Sequence, residues 1–350
     1  MIFFLADIHL GVKLPQEDFM NSLDQMFTII RNSKEPCDLI IVAGDLFDHN
    51  LNIDESIFAV QFLVKLVLND CGKGDMKHIP VHFIEGTFSH DRKQMKIFMP
   101  LLENLPCSVF YTDTWCKVEL PNGMKALYLP QEYGNVDYSD AFNEHYDLIV
   151  GHGPISSQNK QVVTSHGTEI MHSVEMLGEH SDLCVFGHYH EYTDFGNGVY
   201  YAGSMLRFRY HEDTLKVFFM CDKDFKVTTA KNPFAKEFKT IEIHNPEELR
   251  DELSKQIDSP HRFVISTTND QELEAYHAIM NTTKQNQFVK FKIERTEEVV
   301  EEDKLDVIQH SNVVEPIEGL LQFINEKYNV DVTKEVREYE DKIKQETTKK

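Results

Sequence analysis

The sequence predicts an α/β protein organised on a doubly wound sheet. Two observations carry that prediction. Short apolar runs, FFLA at 3–6, LIIVA at 39–43 and IPVHFI at 79–84, have the length of buried parallel strands, and stretches of helical length separate them. Each run then delivers residues capable of chemistry: Asp7 and His9, Asp45, and later His90, His152, His188 and His190. Open α/β sheets gather their sites beyond the carboxyl ends of such strands.

After the first strand, Phe19, Leu23, Met26, Phe27 and Ile30 recur on one helical face. Pro36-Cys37 ends that pattern and 39–42 forms the second strand. A helix from 54 to 69, apolar almost all round, predicts deep burial, and the strand at 79–86 leads into GTFSHD. SVFY, WCKVEL and MKALYLP predict three short strands, with a turn at Pro121-Asn122-Gly123. YDLIVGHG at 146–153 and DLCVFGHYH at 182–190 are two more strands ending in histidine. Between them, QVVTSHG and VEML predict a loop and a short helix. NGVYYAGSMLRFRY and LKVFFM predict an antiparallel finish, which bounds a first domain at 1–225.

A second, small α+β domain is expected over 232–296. Its helix from Asn245 has a good N-cap and first-turn pair in Asn-Pro, followed by the strand FVIST, a helix over 271–280 and the strand QFVKFKIER. It carries no cluster of metal-ligating residues. An acidic linker is expected over 297–316 and a helical, partner-binding segment over 317–345, with amphipathic stretches at 317–328 and 332–343.

Composition sets bounds on function. The 350 residues are 41% hydrophobic and 27% charged, which is globular. No apolar run has membrane-spanning length and the chain starts in a strand pattern, so a cytoplasmic protein is expected, with no membrane partner. Six cysteines without CxxC spacing predict reduced thiols. A formal charge of −23 argues against generic affinity for nucleic acid, although bound cations or a partner can reverse the local sign.

Asp7, His9, Asp45, His90, His152, His188 and His190 mix hard carboxylates with imidazoles, a donor set that suits Mn²⁺, Zn²⁺ or Fe²⁺ better than Mg²⁺ alone. A carboxylate such as Asp45 can bridge two ions, and two ions can clamp a phosphate and activate water. No Ser–His–Asp or Cys–His–acid arrangement competes on spacing.

DIH at 7–9, GDLFD at 44–48, HD at 90–91, GH at 151–152 and GHYH at 187–190 resemble the calcineurin-like metallophosphoesterase pattern over the first 215 residues. DIHLG, GDLFD and YAGSMLR at 201–207 further resemble the Mre11/SbcD-type branch of DNA-end-processing nucleases, including phage versions. The resemblance implies a sandwich of two mixed β-sheets flanked by helices, with a small capping domain and a C-terminal helical segment. It implies two divalent ions per chain, Mn²⁺ first and Mg²⁺ as the alternative. One ion falls to Asp7, His9, Asp45 and His190, and the other to Asp45, His152 and His188. His90 falls at the catalytic histidine's position, and Asp91 is expected to orient it.

The family's GNHD is GTFSHD here, so a ligating asparagine is missing. Ser89 or Thr87 then supplies a neutral oxygen, with looser binding of the second ion. His49, Arg207 and Arg209 are candidate substrate contacts, and His166 and His172 weaker ones, whereas His82, inside a strand, reads as structural. The function implied is a DNA exonuclease and endonuclease acting at DNA ends with a Rad50/SbcC-like SMC-type ATPase, in a homodimer for which the helices at 19–31 and 54–69 are candidate contacts, although packing within the chain explains both as well. Two alternatives remain: a phosphoesterase of small substrates, and a weakened DNA-end-binding scaffold.

Overall fold

Strands β1 (Ile2–Leu5), β2 (Leu39–Ala43) and β3 (Val81–Ile84) alternate with helices α1 (Gln16–Asn32) and α2 (Ile53–Val67), as the apolar runs require. The computed structural model describes residues 1–72, 78–156, 160–164, 167–210, 212, 214–255, 257, 259–267, 270–283, 289–294, 333, 334 and 337. Helix α1 buries Phe19, Leu23, Met26, Phe27 and Ile30, the stripe its periodicity marks. Helix α2 begins at a capping box in which Asn52 and Glu55 satisfy each other's backbone N–H groups. Eight of its apolar residues between Phe58 and Val67 are buried within the chain. The hydrophobicity of α2 is therefore consumed by its own fold.

Helix α3 (Met95–Glu103) follows the GTFSHD loop, and β4 (Val109–Thr112) completes a parallel run β1-β2-β3-β4. Next come β5 (Cys116–Glu119), β6 (Lys125–Leu129) and β7 (Tyr146–His152), the three strands that SVFY, WCKVEL and MKALYLP predict being β4, β5 and β6. The segment expected to be a loop is instead largely strand. β8 (Ile155–Ser156) is followed by β9 (Lys160–Thr164), which pairs antiparallel with β10 (Gly167–Ser173). The pairing, Val163 opposite Thr168 and Gln161 opposite Ile170, supplies backbone partners that a local reading does not. His166 lies outside the described residues.

Helix α4 (Val174–His180), the VEML helix, leads to β11 (Ser181–Gly187), β12 (Thr193–Asp194) and β13 (Val199–Tyr201). The expected antiparallel finish splits between two sheets. β13 runs parallel to β11, while β14 (Val217–Cys221) crosses over to pair antiparallel with β1 and then with β15 (Val227–Lys231). The result is two six-stranded mixed sheets, β15-β14-β1-β2-β3-β4 and β12-β13-β11-β7-β6-β5. Ile2, Phe4, Leu39 and Ile41 of one sheet share a core with Tyr128, Leu148, Val150 and Val185 of the other. The alternate residues Leu127, Ile149, Cys184 and Phe186 face outward to a second core that includes Leu177 of α4. The expected α/β sandwich with flanking helices is the architecture observed.

The chain divides into two compact units. The first holds Met1–Leu206 and Thr214–Ala235; the second holds the described residues of Arg207–Asp213 and Lys236–Asn312. In the second, β16 (Lys239–Ile243), α5 (Pro246–Ser254), β17 (His261–Ser266), α6 (Asp270–Thr283) and β18 (Val289–Glu294) form a parallel three-stranded sheet over Leu249, Phe263, Ile265 and Tyr276. Asn245 caps α5 by accepting the Glu248 N–H at 2.8 Å, with Pro246 in the first turn, as its sequence predicts. The expected linker and nearly all of the C-terminal helical segment lie outside the described residues. Among the described residues no helix is long and apolar enough to cross a membrane, and all six cysteines carry free thiols.

Two buried histidines make the first unit sensitive to acid. His82 accepts a hydrogen bond from the buried Tyr128 hydroxyl or donates to it at 2.7 Å, and burial pushes its pKa down to about 4. His172, enclosed by the rings of Tyr138, Phe142 and Phe186, is pushed down to about 4 by the same cause. His172 is thus an interior residue of β10, which corrects its reading as a loop substrate contact. The unfolded chain protonates such groups below pH ~6.5, the folded chain only near 4. Stability is therefore full above 6.5 and falls as pH drops from 6.5 toward 4, by about 2 kcal/mol per histidine at pH 5. Urea midpoints at pH 7 and 5 should diverge, and His172→Phe should remove its share of that difference. An unchanged difference would contradict the assignment.

Candidate metal centre

Asp7, His9 and Asp45 do not continue their strands; they leave them. Their φ angles are +49°, +52° and +47°, and His188 has +108°. Four ligand-type residues in sparsely populated backbone conformations mark a site where strain is held by its surroundings. Glycines make the approach possible. A Cβ on Gly86 would stand 2.1 Å from the Asp45 backbone nitrogen, and one on Gly44 would stand 2.2 Å from His152 Nδ1.

The side chains converge in three groups, each with its potential ligand atoms within 4.8 Å of one another: Asp7, His9 and His190; Asp45, His152 and His188; and His9, Asp48 and His90. The Asp7 carboxylate accepts the His188 backbone N–H on both oxygens, at 2.9 and 3.1 Å, which ties the GHYH loop to the end of β1. His9 Nε2 lies 3.2 Å from His190 Nε2, and His9 Nδ1 lies 3.3 Å from Asp48 Oδ1. Asp45 Oδ1 accepts the Thr87 N–H at 2.6 Å; its Oδ2 stands 3.3 Å from His152 Nε2 and 4.0 Å from His9 Nε2. That one oxygen faces both halves of the site, where a bridging carboxylate belongs.

Electrostatics suit a cation. Burial pushes Asp7 above the usual carboxylate range, and the neighbouring charge of Asp45 adds to it, against the opposing pull of His152. Burial also works against ionising Asp45, but the charge of His152 and its hydrogen bond outweigh it and hold Asp45 well below the usual range. Burial disfavours a charged His152, yet Asp45 and Asp7 push it up to about 10. Without a metal, a proton on His152 balances the carboxylates; a divalent ion would replace it. Mixed imidazole and carboxylate donors converging in a buried pocket fit a di-metal centre, and clusters of this composition are typical of hydrolytic metallophosphoesterases.

Some expectations about single residues change. His90 Nδ1 donates to the Asp48 carbonyl at 2.7 Å, so it is not oriented by Asp91. The buried Asp91 carboxylate instead accepts the N–H groups of Phe47 and Gly86, at 2.9 and 2.7 Å, pinning two site loops together. Between Ser89 and Thr87, the hydroxyl in the Asp45–His152 group is Thr87, 3.2 Å from Asp45 Oδ2 and 3.3 Å from His152 Nε2. The Thr87 N–H bond to Asp45 draws residue 87 inward, and the chain then turns outward at Phe88, 47% exposed. Ser89 uses its carbonyl to accept Arg92 Nε.

His49 lies between Asp48 and Glu55, at 3.1 and 3.2 Å, with its side chain 44% exposed. Arg207 and Arg209 belong to the second unit. There Arg207 is buried and donates to the Glu212 carbonyl, and Arg209 is exposed. Three contributors escaped the sequence reading. Asp48 pairs with His9, Gln131 accepts from Thr87, and buried Lys216 fixes the His190 carbonyl at 2.7 Å. Asp48 stood in plain view within GDLFD; the other two carry no local signal.

The family model described as calcineurin-like phosphoesterase matches residues 1–192, and the chain belongs to that family. None of the curated proteins compared with the chain matches it. Among solved structures, a protein of unknown function from Aquifex aeolicus is similar over 55% of this chain and 80% of its own, at 14% identity and a TM-score of 0.25.

Proposed function

We propose that this chain is the nuclease subunit of a DNA-end-processing assembly, hydrolysing phosphodiester bonds with two divalent ions, Mn²⁺ foremost. Asp7, His9, Asp45 and His190 would hold one ion and Asp45, His152 and His188 the other. When bound, such ions polarise phosphate oxygens and lower the pKa of water. The chain's own part is to fix those donors and to present His90. Because Nδ1 of His90 donates to a carbonyl, its Nε2 is the atom left to exchange a proton or hydrogen bond with the scissile phosphate.

One observation favours nucleic acid over a small phosphate ester. Tyr189, between His188 and His190, is 60% exposed; its ring stacks on Tyr201 at 5.4 Å, and Phe195, 38% exposed, lies against the same Tyr201 at 5.3 Å. With Phe88 beside Thr87, exposed aromatic rings border the metal centre on two loops. Base–aromatic stacking is tolerant of sequence and contributes about 1–3 kcal/mol per base. A Rad50/SbcC-like ATPase recruited through the C-terminal segment, and a homodimer, complete the reading by resemblance. A cavity of 520 Å³ lined by Phe88, Trp115 and Gln131, but also by Glu85, Asp113 and Glu132, is the observation on the side of the second reading, a compact substrate.

The test compares an end-labelled duplex with bis-p-nitrophenyl phosphate, both with Mn²⁺. Tyr189→Ala should cut kcat/KM on DNA about 10-fold and leave the small ester within about twofold, while Tyr189→Phe behaves as wild type. Cleavage of the small ester with DNA untouched, even with the ATPase present, would favour the second reading.

A further inference from the structure

Once a divalent ion takes the place of the His152 proton, the Asp45–His152 half of the centre is short of protons. His152 Nδ1 lies 2.8 Å from the Ala43 carbonyl, which only accepts, so in the neutral ring Nε2 is a bare lone pair. Asp45 Oδ2 is an acceptor. These two atoms and Thr87 Oγ1 form a triangle with edges of 3.3, 3.3 and 3.2 Å. Donor atoms each about 2.1 Å from a single ion stand roughly 3.0–3.4 Å apart, so the triangle has the dimensions of three ligands to one cation. The only hydroxyl proton in it belongs to Thr87. A hydroxyl that offers its lone pair to a cation must send that proton away from it. Gln131 Oε1, 3.0 Å from Thr87 Oγ1, is the acceptor outside the triangle. Gln131 is itself held in place, its backbone N–H meeting the Glu85 carbonyl at 3.4 Å and its side chain running beside Gly153.

We infer that Thr87 Oγ1 completes the second metal site and that Gln131 is its positioning residue, taking the Thr87 proton so that the hydroxyl oxygen faces the ion. This rests on the two-ion reading above. It replaces the missing asparagine with a hydroxyl–amide pair, in which the amide acts on the ligand from outside. Groups that orient a ligand in this way commonly change metal affinity 10–100-fold when lost.

The test is Mn²⁺ binding to metal-stripped protein, followed by calorimetry and by the free-Mn²⁺ electron paramagnetic resonance signal. Wild type should bind two ions. Thr87→Val and Gln131→Met should each weaken the second about 10-fold or more and leave the first within about twofold, which also shows that the variants fold. Gln131→Glu, an acceptor only, should keep both. Thr87→Asn supplies its own amide oxygen, so adding Gln131→Met to it should cost nothing. An unchanged second affinity in Gln131→Met, or a loss that persists in the Thr87→Asn background, would overturn the inference. A wild type that binds one ion or none would overturn the two-ion reading itself, and this inference with it.

Discussion

Asp45→Asn should reduce hydrolysis of any phosphodiester about 10³-fold or more, a loss of about 4 kcal/mol of transition-state stabilisation, and should abolish binding of both ions. The substitution is close to isosteric, and asparagine tolerates the +47° φ of this position. Keeping the Thr87 N–H bond on its remaining oxygen directs the new amide hydrogens at His9 and His152, where Oδ2 now stands 4.0 and 3.3 Å away. Lone pairs aimed at cations become donors aimed at cations. The fold should survive, because the pinning of Gly86 and Phe47 belongs to Asp91 and not to Asp45. Bound Mn²⁺ and far-ultraviolet dichroism, measured on the same samples, separate the two effects. An active variant holding two ions would remove Asp45 from the bridging position.

His90→Gln should behave differently: kcat falls about 10²–10⁴-fold, with both ions retained. The loss should also depend on the leaving group. An alkoxide leaving from DNA needs a proton far more than p-nitrophenolate does, so the variant should be crippled on DNA and only modestly slowed on bis-p-nitrophenyl phosphate. Equal losses on both substrates would mean that His90 stabilises phosphate charge and delivers no proton. Loss of an ion would mean that the His9–Asp48–His90 group holds metal, as its spacing also allows.

The sheet and most of the centre were legible because they share one cause. Strands covered on both faces read as unbroken apolar runs, and whatever polar residues follow them fall at the carboxyl edge. Asp7, Asp45, His152 and His188 were therefore placed by the same pattern that placed β1, β2, β7 and β11. What escaped depends on contacts distant in sequence. Gln131 follows a proline after β6 with no periodicity to mark it. It reaches the site because β6 pairs with β7, Leu129 opposite Gly151, next to His152. The choice of Thr87 over Ser89 needed the Asp45 carboxylate, 42 residues away, to capture the Thr87 N–H. The exchange of Asp91's expected partner, His90, for two backbone N–H groups has the same origin. A buried carboxylate takes the donors that surround it, and sequence proximity does not name them. The β9–β10 hairpin and the division of β13 and β14 between sheets likewise follow from pairing partners that the local sequence does not specify.

The most direct test of the central claim is a titration of Mn²⁺ into metal-stripped protein, with bound ions counted and bis-p-nitrophenyl phosphate hydrolysis measured in the same samples. The site described here predicts two ions per chain and a rate that rises with occupancy of the second. A rate that is full with one ion bound, or that is independent of metal, would contradict it.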